Sequence, residues 1–167
     1  MLKKGLVLFL IAVTFFTGCS KETESDLFKQ AEKHLARQEY KKAVDTFILI
    51  LEKYPNGKYA QRSALEIAKL YHGLAVPNVP KKESLDIAVK YYLTAHSIAP
   101  KTDVGTNALF MAAFLEANEI KNLKKAKEIY EKFIKEYPQS PLAKSAKIEI
   151  ANLGVPPEKI IEEKIKK

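Results

Sequence analysis

The sequence predicts an all-α chain arranged as a solenoid of about three helix pairs, and three observations carry that prediction. From Asp26 onward apolar residues recur at helical spacing, and no stretch alternates apolar and polar residues as a half-buried strand would. Three segments share one phase and one ending: Ala43, Phe47, Ile50, Tyr54, then Pro55; Ala88, Tyr92, Ala95, Ala99, then Pro100; Ala126, Tyr130, Phe133, Tyr137, then Pro138. A further helical stretch precedes each of them, so the unit that repeats is a pair.

At the N-terminus, Met1–Lys4 carries two lysines, and Gly5–Phe16 is an uncharged, apolar run of twelve residues. As a helix that run would reach about 18 Å at 1.5 Å per residue. A bilayer core is about 30 Å thick, so the run is too short for a permanent span. A basic start, a short apolar stretch and small residues after it form the layout of an export signal. The small-residue site, Thr17-Gly18-Cys19, holds the only cysteine of the chain. It resembles the lipobox of bacterial lipoproteins, with Phe16 where leucine is usual. The resemblance implies that residues 1–18 are removed and that the Cys19 thiol is acylated, a modification by groups such as palmitate. One acyl chain binds a bilayer only marginally, and two or three make the attachment durable. Ser20 after the cysteine, in place of Asp, implies the outer membrane; the alternative location is the outer leaflet of the cytoplasmic membrane.

Processing would leave 149 residues (167 − 18) with 26 basic and 20 acidic side chains, a charge of +6 in place of +8. Residues 19–25 then read as a polar tether, 26–154 as the solenoid and 155–167 as a short last helix.

Within the solenoid, Leu27–Arg37, Ser63–His72 and Ala108–Ala117 are the first helices of the three pairs. Each contributes an alanine, Ala31, Ala68 or Ala113, where two helices approach closely. Offsets of 4, 7 and 11 in the second helices fall on one helical face. The proline after them ends the helix, because it lacks an N–H and disfavours helical geometry in the residue before it. Gly73–Glu83, with Pro77 and Pro80, reads as an inserted loop in the second pair, and the third pair carries about one extra residue between its helices. Equivalent alanines are therefore 45 and then 38 residues apart. Pro141–Leu153 closes the stack, with proline at the start and Gly154 at the end. Glu158–Ile165 is expected as a charged final helix, acidic early and basic late as the helix dipole favours.

Nothing in the sequence advertises chemistry. One cysteine excludes an internal disulfide framework, and the three histidines, His34, His72 and His96, sit in different repeats without metal-ligand spacing. Phosphate-binding glycine loops and nucleophile elbows are missing, and acidic residues lie beside lysines at i,i+4, as a solvated helix face does. The expectation is a protein that is not an enzyme, takes no cofactor, metal or small-molecule substrate, and binds no nucleic acid. Its basic clusters, Lys121, Lys124, Lys125, Lys127 and the terminal Lys164–Lys167 stretch, read as solvated faces or as attraction to anionic lipid.

A solenoid offers its concave face, lined by the first helix of each pair. Counting from the packing alanines, that face takes in Phe28, Leu35, Arg62, Leu65, Lys69, His72, Phe110 and Phe114. Aromatics mixed with cations suit an extended or helical segment of a protein partner.

Two stretches carry a family resemblance. AEKHLARQEYKKAVDTFILILEKYP and AAFLEANEIKNLKKAKEIYEKFIKEYP resemble the tetratricopeptide repeat. Tyr54–Tyr71, YPNGKYAQRSALEIAKLY, is similar to the Tyr-Pro-x-Gly-x-Tyr segment and following helix of the BamD-type outer-membrane assembly lipoproteins, which usually carry about five repeats where this chain has three. The resemblance implies a lipid-anchored interaction scaffold of the bacterial envelope, held by its anchor at the periplasmic face of the outer membrane, with outer-membrane protein assembly as the expected setting. The alternative is a cell-wall or Tol-Pal-associated coordination protein that meets envelope polymer or anionic lipid through its basic helices.

Overall fold

Each expected pair forms in the computed structural model, which describes residues 22–156, 158 and 159. The expected signal segment, Cys19 and most of the expected final helix lie outside the described residues. The first pair is α1 (Glu24–Ala36) and α2 (Tyr40–Lys53), the second α3 (Ala60–His72) and α4 (Lys81–Ile98). The third is α5 (Asp103–Leu115) and α6 (Leu123–Glu136), and α7 (Pro141–Ala151) comes after it. Consecutive helices pack on one another, and α3 also touches α5, so the first helices of the second and third pairs stand side by side. Among the described residues there is no strand.

The shared phase is the core. Ala43, Phe47 and Ile50 of α2, Ala88, Tyr92 and Ala95 of α4, and Ala126, Tyr130 and Phe133 of α6 are all buried. So are Ala31, Ala68 and Ala113 on the facing helices. At the last position of the phase the tyrosines add a polar task. Tyr54 donates its hydroxyl to the Glu22 carbonyl at 2.8 Å, and Tyr137 donates to the Pro100 carbonyl at 2.7 Å. Each hydroxyl thereby ties the end of a second helix to the backbone just ahead of the first helix of its own pair. The middle pair has Ala99 there, and the Gln61 amide takes over, donating to the Ala95 and Ala99 carbonyls at 3.1 and 2.9 Å.

Several boundaries differ from the sequence reading: α3 and α5 start earlier, at Ala60 and Asp103 in place of Ser63 and Ala108, and α7 ends at Ala151 in place of Leu153. The tether ends earlier than Ser25, because Thr23 caps α1 in a reciprocal box with Asp26 and Glu24 is already helical. The inserted loop covers residues 73–80, since α4 starts at Lys81, directly after Pro80. The extra residue of the third pair is absorbed without a longer loop: α5 runs into a π-turn, Glu116–Ile120, closed by Lys121 in the left-handed region (φ 64°). Such a turn accommodates one inserted residue inside a helix.

Gly57 explains the Tyr-Pro-x-Gly-x-Tyr segment. The Glu24 carboxylate reaches over from α1 and accepts the backbone N–H groups of Lys58 (3.1 Å) and Tyr59 (2.7 Å). A Cβ on Gly57 would lie 2.2 Å from its Oε1. Gly105 is needed for a different reason, since a Cβ there would lie 2.2 Å from the Ala99 carbonyl oxygen, where α5 starts against the end of α4.

Candidate functional site: the face of the first helices

Four of the eight expected groove residues are half-buried apolar side chains packed on the core: Leu35, Leu65, Phe110 and Phe114. Phe110 sits edge-on to Tyr130 and Phe133, with centroids 5.5 and 5.6 Å away. They form a floor, not free-standing contact residues. Phe28 requires a correction. It is only 3% exposed, stacked on Tyr59 at 4.4 Å and tilted against Phe47 at 5.8 Å, so its ring is core. A period of 3.6 marks the inward stripe of a helix but not its width, and Phe28 lies just inside the edge of that stripe.

The polar members are held in pairs. Arg62 places its guanidinium 5.0 Å over the Phe28 ring and pairs with Glu32 at 3.2 Å, joining α3 to α1. Lys69 pairs with Glu66 at 3.1 Å. His72 joins three elements: its Nε2 is 3.0 Å from Glu119 in the π-turn, and its Nδ1 is 3.2 Å from the Tyr92 hydroxyl on α4. An ionised carboxylate only accepts, so Nε2 carries a proton toward Glu119; in the neutral ring Nδ1 then accepts from Tyr92. Burial pushes the Tyr92 hydroxyl up to about 12, which keeps it a donor.

Sequence reasoning missed Glu32, Tyr59, Glu66 and Glu119. A signal existed for Glu32, which follows packing Ala31 by one residue as Lys69 follows Ala68 and Phe114 follows Ala113. None existed for Glu119, because the π-turn takes it out of the helical count. The result is an apolar floor crossed by ion pairs that stay half-exposed and exchangeable. Such a surface can trade its internal partners for those of an incoming peptide. Among the described residues no three His, Cys, Asp or Glu side chains converge as a metal site, and no helix is long and apolar enough to cross a membrane.

The family model described as YfiO, outer membrane lipoprotein, matches residues 20–154. The chain belongs to this family. The match begins one residue after Cys19 and takes in every helix from α1 to α7. YfiO membership makes this a BamD-type outer-membrane lipoprotein with a tetratricopeptide-like solenoid, as the sequence resemblance implied. Comparison with curated proteins finds no match.

Proposed function

We propose that the chain is a non-enzymatic scaffold, anchored by acyl chains on Cys19 after removal of residues 1–18, that holds a protein partner at the periplasmic face of the outer membrane. Its role is in the assembly of outer-membrane proteins, and its means is tethering, since confinement to a surface raises the effective concentration of partners already there. The observation that supports this best is the face shared by α1, α3 and α5. There Leu35, Leu65, Phe110 and Phe114 supply apolar contact, Arg62 and Lys69 supply charge that partner carboxylates can claim, and His72 supplies a ring N–H donor. An extended or helical peptide segment fits such a face.

The anchor is tested by membrane fractionation and mass spectrometry of wild type and Cys19→Ser. Wild type should be acylated and membrane-bound and the variant neither; equal, unlipidated membrane association of both would end the anchor reading. For the scaffold role, crosslinking in intact membranes should recover barrel-assembly components, and Arg62→Glu with Lys69→Glu should reduce that recovery. Recovery of cell-wall or Tol-Pal proteins instead would reassign the scaffold.

A further inference from the structure

The N-terminal ends of the second helices carry another pattern. All three second helices begin with a lysine pair in the first turn: Lys41-Lys42 in α2, Lys81-Lys82 in α4 and Lys124-Lys125 in α6. Cations there oppose the helix dipole, and neither α2 nor α6 has an acidic residue in its first turn to offset them. Among the described residues Lys81 and Lys124 make no ion pair, whereas Lys41, Lys42, Lys82 and Lys125 each hold one.

Backbone strain collects on this edge as well. Among the described residues, all four non-glycine positions with positive φ lie on it: Gln38 (59°), Leu74 (53°), Asn78 (61°) and Lys121 (64°). After α7, where a left-handed residue is also needed, Gly154 supplies it (φ 77°). Leu74 is 47% exposed and Leu123 is 38% exposed, so the edge shows apolar side chains to solvent where glycine or a polar residue would be cheaper. Two separate clefts open along this edge. One of about 430 Å³ lies between Tyr40, Lys41 and the loop residues Ala75 and Pro77. Another, of about 300 Å³, is lined by Lys81, Lys82, Leu85, Ile120 and Glu119, the carboxylate that pairs with His72.

We propose that this edge is a second interaction surface, meeting the face of the first helices at Glu119, and that it takes an acidic, extended segment of a protein partner bearing apolar side chains. Lys81 and Lys124, unpaired among the described residues, set the sign of the partner, since the carboxylates of Glu39 and Glu119 in the clefts already face Lys42 and His72. Leu74, Leu123 and the clefts set its apolar content. A lipid surface is disfavoured by direction, which rests on the Cys19 anchor proposed above. Glu22 leaves the fold at the other ends of the helices, and a 13-residue α1 separates the two edges by about 20 Å. Four residues from Cys19 to Glu22 span at most about 14 Å, so a protein standing on its tether turns the lysine edge away from the membrane.

The test uses the full-length chain in detergent and two fluorescein-labelled probes, (Asp-Leu-Ser)4 and (Lys-Leu-Ser)4, each reaching about 40 Å when extended. Anisotropy should show the acidic probe bound at least about tenfold tighter than the basic one, with affinity falling as NaCl rises from about 50 to 300 mM. Lys81→Glu with Lys124→Glu should erase that preference and raise Tm, because acidic residues suit helix N-termini. Lys53→Glu with Lys135→Glu, the same charge change at the C-terminal ends of α2 and α6, should keep the preference and lower Tm. Leu74→Ser should weaken both probes. Equal binding by the Lys81/Lys124 variant and wild type, or no preference in wild type, would overturn the proposal. So would loss of phosphatidylglycerol-vesicle binding in that variant without any change in peptide binding, which would give the edge to lipid. These outcomes do not depend on Cys19 or Arg62, so failure here is separable from failure of the scaffold reading.

Discussion

Substituting Gly57 by alanine tests whether the Tyr-Pro-x-Gly-x-Tyr turn exists to seat Glu24. Gly57 is not among the positive-φ residues, so alanine can adopt its backbone, and by itself the change should stabilise by about 0.4–1 kcal/mol through the unfolded chain. The obstacle is the Glu24 carboxylate, 2.2 Å from the new Cβ. A flexible side chain can retreat, but it then gives up the N–H groups of Lys58 and Tyr59. Hydrogen bonds to a charged group contribute about 1.5–3 kcal/mol each, less where water replaces them, as it does at this partly exposed turn. A loss of about 2 kcal/mol for the two, offset by the unfolded-state gain, leaves Gly57→Ala about 1 kcal/mol less stable, or about 4 °C in Tm. In a Glu24→Ala background the obstacle is gone, and the same substitution should become neutral or stabilising. Urea denaturation of the four-member cycle measures this sign change. Equal destabilisation in both backgrounds would refute the account, because Gly57 would then matter for its backbone alone.

Packing and burial set four more expectations. Gly105→Ala drives a Cβ into the Ala99 carbonyl, which is backbone and cannot swing away; a cost of about 3 kcal/mol in urea denaturation is expected. Glu116 is buried in the π-turn and ion-paired with the half-exposed Lys125, so losing the lysine strands a charge while losing the carboxylate does not. Lys125→Met should therefore cost about 2 kcal/mol and Glu116→Gln about 1 or less, and the reverse order in thermal melts would contradict the assignment. Among the described residues the buried Tyr130 hydroxyl has no hydrogen-bond partner, so Tyr130→Phe should raise stability by up to about 1 kcal/mol in the same assay. His96 is 4% exposed, and burial, then Lys132, lowers its pKa below the ordinary 6.5 despite Glu136 at 3.3 Å and the nearby Gly105 carbonyl; the Tyr137 hydroxyl also faces the ring. The unfolded chain then binds the proton more readily, so stability holds above pH 6.5 and falls as pH drops through the folded pKa. His96→Gln should flatten that part of the Tm–pH profile.

The repeat was legible because burial repeats in a helix, and residues 0, 4 and 7 of each second helix have one environment in every copy. Features that depend on contacts between residues far apart in sequence stayed hidden. Glu24 and Tyr59 are 35 positions apart, and neither their types nor their spacing marks them as partners. The tyrosines before Pro55 and Pro138 count as apolar in the helical pattern, although their hydroxyls do the joining. Phe28 falls at a boundary that only the neighbouring pair defines, through Tyr59 and Arg62. The π-turn shows in the sequence as a length mismatch, but its consequence for Glu119 does not, since one added residue rotates the remainder of a helix by about 100°.

The clasp at the start of α1 also has a mechanical meaning. Glu22 is held by Tyr54 at the end of α2, and Glu24 by the turn that leads into α3. A pull on the chain at Glu22 therefore does not peel α1 away from its first turn. The load is shared at once by α1, the end of α2 and the turn that leads into α3, so tension on the entering chain is spread over the whole first corner of the fold.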